Sequence, residues 1–174
     1  MLQGKNRGIY IHIPFCRSKC PYCDFYSTPK HTPQLREAFA RALEREIEYY
    51  GKAWRAYEDK PVESIYFGGG TPSLLDGTQF ERLMERIREN FMIENGAEIS
   101  MEANPATVTT EKLAAYRRAG LSRLSIGAQS FDSNVLKILG RIHSPAQIEE
   151  AFFSAREAGF TNISLDLMFG IAGQ

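Results

Sequence analysis

Five short apolar runs, each separated from the next by a longer stretch of helical period, leave this chain few folds to choose from. Ile9-Tyr-Ile-His-Ile13 alternates as a strand does. Thr32-Pro33 then opens a helix whose apolar face is Leu35, Phe39, Leu43, Ile47 and Tyr50. Ser64–Phe67 reads as the second strand, and a capping box Thr78-x-x-Glu81 as the start of the second helix. Phe80, Leu83, Met84, Ile87 and Phe91 form that helix's apolar face. A third strand is expected at about Ala97 to Met101, followed by a helix over Thr110–Ala119 that Gly120 stops. A fourth strand, Arg123–Ile126, precedes a short helix after Asp132 and a longer one from Ser144-Pro145 to Gly159. The fifth strand covers Asn162–Leu167.

One pattern recurs: Arg118-Ala-Gly-Leu-Ser-Arg-Leu-Ser-Ile126 matches Glu157-Ala-Gly-Phe-Thr-Asn-Ile-Ser-Leu165, 39 residues later. Each copy is a helix end, a glycine cap and a buried strand. Strands separated by helices imply an α/β fold with a parallel sheet and right-handed crossovers. A barrel or partial barrel of the TIM type is the expected closure, with an open doubly wound sheet as the alternative. Four βα units and a fifth strand are present, and a parallel strand without its covering helix leaves apolar surface bare. The 174 residues are therefore expected to be the N-terminal part of a longer core domain.

Composition narrows the function classes. Lys+Arg and Asp+Glu are equal at 21 each, so no net field draws the chain to nucleic acid. No run of 18 apolar residues suggests a membrane span, and Met1–Arg7 lacks the apolar stretch of a signal peptide. A cytoplasmic location is expected, where clustered thiols serve metals or catalysis rather than disulfides.

The three cysteines of the chain, Cys16, Cys20 and Cys23, fall within Cys16-Arg-Ser-Lys-Cys20-Pro-Tyr-Cys23. Three thiolates this close clamp a metal or a cluster, yet no fourth cysteine completes the shell. Structural zinc would need His12, His31 or His143 as fourth ligand. A [4Fe-4S] cluster held by three thiolates, with one iron open, suits the spacing better. Polar residues at the other strand ends converge on the same rim in such a fold. They are Gly68-Gly-Gly-Thr-Pro-Ser73, Glu102-Ala-Asn-Pro105, Gly127-Ala-Gln129 and Asp166. Singly, Glu102, Gln129, Asp166 and Arg141 would pass for ordinary surface residues, and the triple glycine for a tight turn. Tyr22 would shield a cluster edge or pack in the core, while His12 and Trp54 read as structural.

Cys-x-x-x-Cys-x-aromatic-Cys after a first strand, with Gly-Gly-Gly-Thr-Pro after a second, resembles the radical S-adenosylmethionine (radical SAM) superfamily. More narrowly, Tyr10-Ile-His-Ile-Pro-Phe-Cys16, Phe67–Ser73, Ser125-Ile-Gly-Ala-Gln-Ser-Phe131 and Leu165-Asp-Leu-Met-Phe-Gly170 are similar to the HemN/HemW branch. That branch holds oxygen-independent coproporphyrinogen III dehydrogenase and haem-chaperone relatives. The resemblance implies a partial (β/α)6 barrel, a [4Fe-4S] cluster on Cys16, Cys20 and Cys23, and S-adenosylmethionine on the open iron. It implies one-electron cleavage of the sulfonium to methionine and a 5′-deoxyadenosyl radical. Gly69, Gly70 and Thr71 would hold the methionine end, Arg141 its carboxylate and Glu102 its amino group. Gln129 and Asp166 would bond the ribose, with Tyr10 near the adenosine side.

Two departures point within the branch. Phe25 stands where the dehydrogenase carries a further cysteine, and the first strand starts near residue 9 without that enzyme's long N-terminal extension. Both resemble the haem chaperones, which implies haem as ligand, membrane respiratory proteins as acceptors, and a homodimer among the expected states. The dehydrogenase, producing protoporphyrinogen IX, and a zinc-binding structural module remain the alternatives.

Overall fold

In the computed structural model, residues 7–55 and 61–174 are described; Met1–Asn6, part of the N-terminus read above for a leader, lie outside them. Five parallel strands pair in the order in which the chain makes them. They are β1 (Gly8–Ile13), β2 (Val62–Gly69), β3 (Ile93–Ala103), β4 (Arg123–Gln129) and β5 (Asn162–Leu167). The intervening helices are α1 (Pro33–Arg55), α2 (Gly77–Asn90), α3 (Thr110–Arg118), α4 (Ser133–Ile138) and α5 (Pro145–Glu157). Strand order that never reverses is that of a barrel wall, not of a doubly wound sheet. The sheet does not close, so the architecture is a partial TIM-type barrel. Among the described residues no helix is long and apolar enough to cross a membrane.

Alternation along the strands separates the two faces of this wall. Ile65 and Phe67 of β2, Met101 of β3, and Leu124 and Ile126 of β4 are fully buried against the helices. From α2, Phe80, Leu83, Met84 and Ile87 fill the same layer, each with no exposed surface. Burying a side chain of this size contributes about 1.5–3 kcal/mol. Phe80 packs between Phe67 and Tyr116 at ring distances of 4.9 and 5.0 Å, and the Tyr116 hydroxyl donates to the Leu75 carbonyl. The opposite face carries Tyr10, His12, Tyr66, Ser100, Glu102, Ser125, Ser164 and Asp166, one residue out of phase with the core set. One face of the sheet thus builds stability and the other chemistry.

Several expected boundaries shift. Strands β2, β3 and β4 each run further toward the rim, so Gly68, Gly69, Glu102 and Gln129 are strand residues rather than loop residues. In α1, Phe39, Leu43 and Ile47 pack on the core, but Leu35 and Tyr50 are exposed. A 23-residue helix is about 35 Å long, and a six-residue strand only about 20 Å, so both ends of α1 overhang. The cap of α2 is Asp76, not Thr78. Its carboxylate accepts from Gln79 N–H at 2.8 Å, and the Gln79 amide oxygen accepts from Asp76 N–H at 2.9 Å. Two box patterns overlap here, and the aspartate, the better cap, prevails. The repeated pattern does recur in space: Gly120 and Gly159 both adopt positive φ, 104° and 89°, just past their helices.

Asp76→Ala is expected to lower stability by about 1 kcal/mol, and Thr78→Ala by less than about 0.5 kcal/mol. Thermal melts of the two variants would check it; equal losses would return the cap to Thr78.

Candidate functional site

The cysteine loop hangs from the carboxyl end of β1 and is pinned mainly through its backbone. Thr28 N–H donates to Pro14 O at 2.7 Å and Cys16 N–H to Thr28 O at 3.1 Å, while a tight turn bonds Cys23 N–H to Cys20 O at 3.0 Å. The Arg17 guanidinium reaches Ala106 O at 2.7 Å, and the Lys19 ammonium reaches Ser27 Oγ at 3.1 Å. Histidines hold the same loop: His12 Nε2 lies 2.8 Å from Tyr26 O and His31 Nε2 lies 3.1 Å from Cys16 O. Their Nδ1 atoms are also engaged, by Tyr10 and Arg36. His143 meets Ala128 O instead. Both ring nitrogens of His12 and His31 are thus committed elsewhere, and His143 does not line the cysteine cavity.

Cys16 is buried and Cys20 and Cys23 are half-buried. All three line one cavity with Arg17, Lys19, Thr71 and Arg141. Cationic neighbours offset the charge that three thiolates would bring. Among the described residues, no three Cys, His, Asp or Glu side chains are grouped tightly enough for one metal ion. Three thiols lining one cavity suit a cluster with one open iron better than a closed four-ligand zinc site.

Why the glycines are there now has a physical answer. A Cβ on Gly70 would stand 2.7 Å from Phe15 O and 3.0 Å from Cys16 Sγ. Gly70 N–H also donates to Ile13 O at 2.8 Å, so the end of β2 lies directly beneath the cysteine loop. Gly69 has φ 112°, a backbone that side chains rarely adopt. Thr71 Oγ1 donates to Cys16 Sγ at 3.5 Å, so its hydroxyl serves a thiol.

A larger cavity of about 220 Å3 adjoins the first and shares Tyr22, Cys23, Gly70, Thr71 and Arg141 with it. Gly69, Glu102, Gln129 and Asp166 complete the set that the sequence singled out, and Phe25 joins them. Arg141 faces this space from one side. Its Nη2 donates to Gly127 O at 2.8 Å, and its Nη1 lies 3.4 Å from the Tyr22 hydroxyl and 3.6 Å from Cys20 Sγ. Its Nε is buried without a partner, a donor suited to a carboxylate.

Two carboxylates are also presented to the cavity. Glu102 accepts a short hydrogen bond from the Tyr66 hydroxyl, and Asp166 one of 2.8 Å from Ser125 Oγ, itself a partner of Ser164 Oγ at 3.0 Å. Burial, then the bond to Glu102, holds the Tyr66 phenol well above its ordinary range. Burial likewise raises Tyr22, with Arg141 pulling the other way. Neither phenol is therefore a source of negative charge.

Tyr10 is the exception among the expected residues. It is 57% exposed and is absent from the cavity wall. It stacks on Tyr66 at 5.8 Å and 24°, so it supports Glu102 at one remove. Tyr66 and Ser125 hold the two carboxylates without having been singled out by any motif of their own, although period-two alternation places both on the Glu102–Asp166 face. Lys112 was missed as well. Its ammonium, mostly buried, donates to Ser73 O and to Thr107 O at 3.1 Å, tying the loop after β2 to the loop after β3. Burial pulls its pKa down to about 8.

The radical SAM superfamily profile matches residues 10–174. The chain belongs to the radical SAM superfamily. It is 41% identical over 168 residues to the heme chaperone HemW of Escherichia coli, covering 96% of this chain and 43% of that protein. It is 39% identical over 176 residues to the heme chaperone HemW of Mycobacterium tuberculosis, covering 99% and 44%. Coproporphyrinogen III oxidase (HemN) from Escherichia coli, described as a radical SAM enzyme, superposes with a TM-score of 0.85 at 33% identity. That match covers 95% of this chain and 38% of the enzyme. The chain thus spans less than half the length of these relatives. Radical SAM membership implies a [4Fe-4S] cluster and S-adenosylmethionine, and the donor set above fits both.

Gly70→Ala is expected to push the cysteine loop off β2 and to lower iron bound per chain by about half or more, since backbone cannot yield as a side chain does. Iron and sulfide analysis after anaerobic reconstitution would show it; full loading would mean the loop tolerates the methyl group.

Proposed function

We propose that this chain forms the cluster- and S-adenosylmethionine-binding core of a HemW-type haem chaperone. In this reading Cys16, Cys20 and Cys23 would each hold one iron of a [4Fe-4S] cluster, leaving one iron open to S-adenosylmethionine. The backbone of Gly69, Gly70 and Thr71 lies along the methionine end of S-adenosylmethionine. Arg141 pairs with the ligand carboxylate and Glu102 with its ammonium. Gln129 and Asp166 bond the ribose hydroxyls, and Tyr22 shields the cluster edge. Tyr10 acts through Tyr66 rather than by contact. The bound pair supplies one-electron chemistry; the chain's own residues bind, orient and exclude water. Haem would be the cargo, membrane respiratory proteins the acceptors, and the cytoplasm the compartment, with a homodimer as an expected assembly.

The observation that carries the chaperone reading is Phe25. It lines the cavity beside Cys23, at the position where the resemblance puts an additional cysteine in the dehydrogenase. A phenyl ring there can neither ligate metal nor relay a proton or hydrogen atom. Similarity to heme chaperones from two bacteria supports the same conclusion. The second reading, coproporphyrinogen III dehydrogenation, draws on the close superposition with HemN.

The full-length protein, made anaerobically with its cluster and S-adenosylmethionine, is expected to bind haem and to leave coproporphyrinogen III unconverted. Formation of protoporphyrinogen IX would replace the first reading with the second. Single Ala variants of Cys16, Cys20 and Cys23 should each lose the cluster, read as iron content, because two thiolates cannot retain it. Arg141→Ala should keep its iron yet bind S-adenosylmethionine about tenfold or more weakly, the loss of a charge-assisted pair. Unchanged affinity would remove Arg141 from the site.

A further inference from the structure

Three successive carbonyls at the end of β4 are each held from outside the strand. Gly127 O accepts from Arg141 Nη2 at 2.8 Å, Ala128 O from His143 Nε2 at 3.0 Å, and Gln129 O from Met168 N–H at 2.9 Å. Ala128 O also accepts from Ser130 N–H at 2.9 Å, an i→i+2 bond that makes Gln129 the centre of a γ-turn. The φ of Gln129 is 67°, which places this turn in the rare, strained form. Among the described residues Gln129 alone adopts positive φ without being glycine. The β4–β5 ladder is irregular at the same place, shifting register between Ile126 and Gln129. A strained residue at a cavity wall has to be fixed by its surroundings.

His143 is placed to do this. It is 4% exposed and lines neither cavity, so it has no route to a ligand except through its neighbours. Burial disfavours the imidazolium form. The neutral ring carries one proton, and Nδ1 is buried without a partner. The proton therefore belongs on Nε2, directed at Ala128 O, the carbonyl that closes the γ-turn. Gly127 completes the arrangement: a Cβ there would stand 2.9 Å from Gln129 Nε2. The turn and the glycine together allow the Gln129 amide to reach the cavity.

We infer that His143 is a positioning residue: by pinning the Ala128 carbonyl it sets the γ-turn that aims Gln129 into the S-adenosylmethionine cavity. The inference rests on the reading of that cavity given above. It is tested with two replacements that both fill the buried space, His143→Gln, which keeps a donor, and His143→Met, which does not. Equilibrium binding of S-adenosylmethionine is measured on the cluster-loaded protein, alone and in a Gln129→Ala background. His143→Met is expected to weaken binding about tenfold, with His143→Gln recovering most of it. In the Gln129→Ala background the methionine should cost little more, since contacts in series do not add.

Equal affinity of His143→Met and wild type, full additivity with Gln129→Ala, or a His143→Met chain that fails to fold would each overturn the positioning role. Failure of wild type itself to bind S-adenosylmethionine would instead sink the reading of the cavity.

Discussion

Everything at the rim depends on how closely β2 passes beneath the cysteine loop. Gly70 lies against Phe15 O and Cys16 Sγ at distances that exclude any side chain, and its N–H is bonded to Ile13 O. That contact joins the cysteine loop to a strand paired on both sides, a rigid base for a loop that is otherwise irregular. It also brings the Thr71 hydroxyl to Cys16. The larger cavity adjoins the same strand end and shares Gly70 and Thr71 with the cysteine cavity. One backbone approach thus positions both cavities relative to the sheet.

Farther along the rim the protein uses paired devices. Arg141 touches Cys20, Tyr22 and Gly127 together, so it spans from the cysteine loop to β4. Lys112 spans the loops after β2 and β3 in the same manner. Opposing these cations, Glu102 and Asp166 are each held by a hydroxyl, from Tyr66 and Ser125. An elongated ligand with an anionic and a cationic end would find complementary charge at both, already oriented, so little side-chain entropy is lost on binding.

Much of this was legible in the sequence because it depends on periodicity and spacing. The strand–helix alternation indicated a parallel sheet of five strands, and the polar residues at the strand ends, Glu102 and Asp166 among them, indicated one rim. The cysteine spacing gave the loop. What stayed hidden depends on competition between neighbours of similar chemistry. Asp76 and Thr78 both head a capping box, and the stronger cap, Asp76, decides where α2 begins. Tyr10 and Tyr66 share one face of the sheet, yet Tyr66 reaches Glu102 and leaves Tyr10 stacked outside. The γ-turn at Gln129 has no signature at all, because glutamine is not a residue that seeks positive φ. It exists through His143, 14 residues away in sequence, and long-range hydrogen bonds of that kind leave no local pattern.

The unbroken strand order β1-β2-β3-β4-β5 has a consequence for how the molecule is made. Each new strand pairs with the one synthesised just before it, so loop closure stays short and no unit waits for a distant partner. As the chain emerges from its N-terminus, the cysteine loop and Gly70 are complete within the first two strands. Arg141 and His143 follow the fourth strand, and Asp166 arrives with the fifth. The thiol pocket therefore acquires its floor well before the adjoining cavity acquires its charges, and assembly of the site follows the direction of translation.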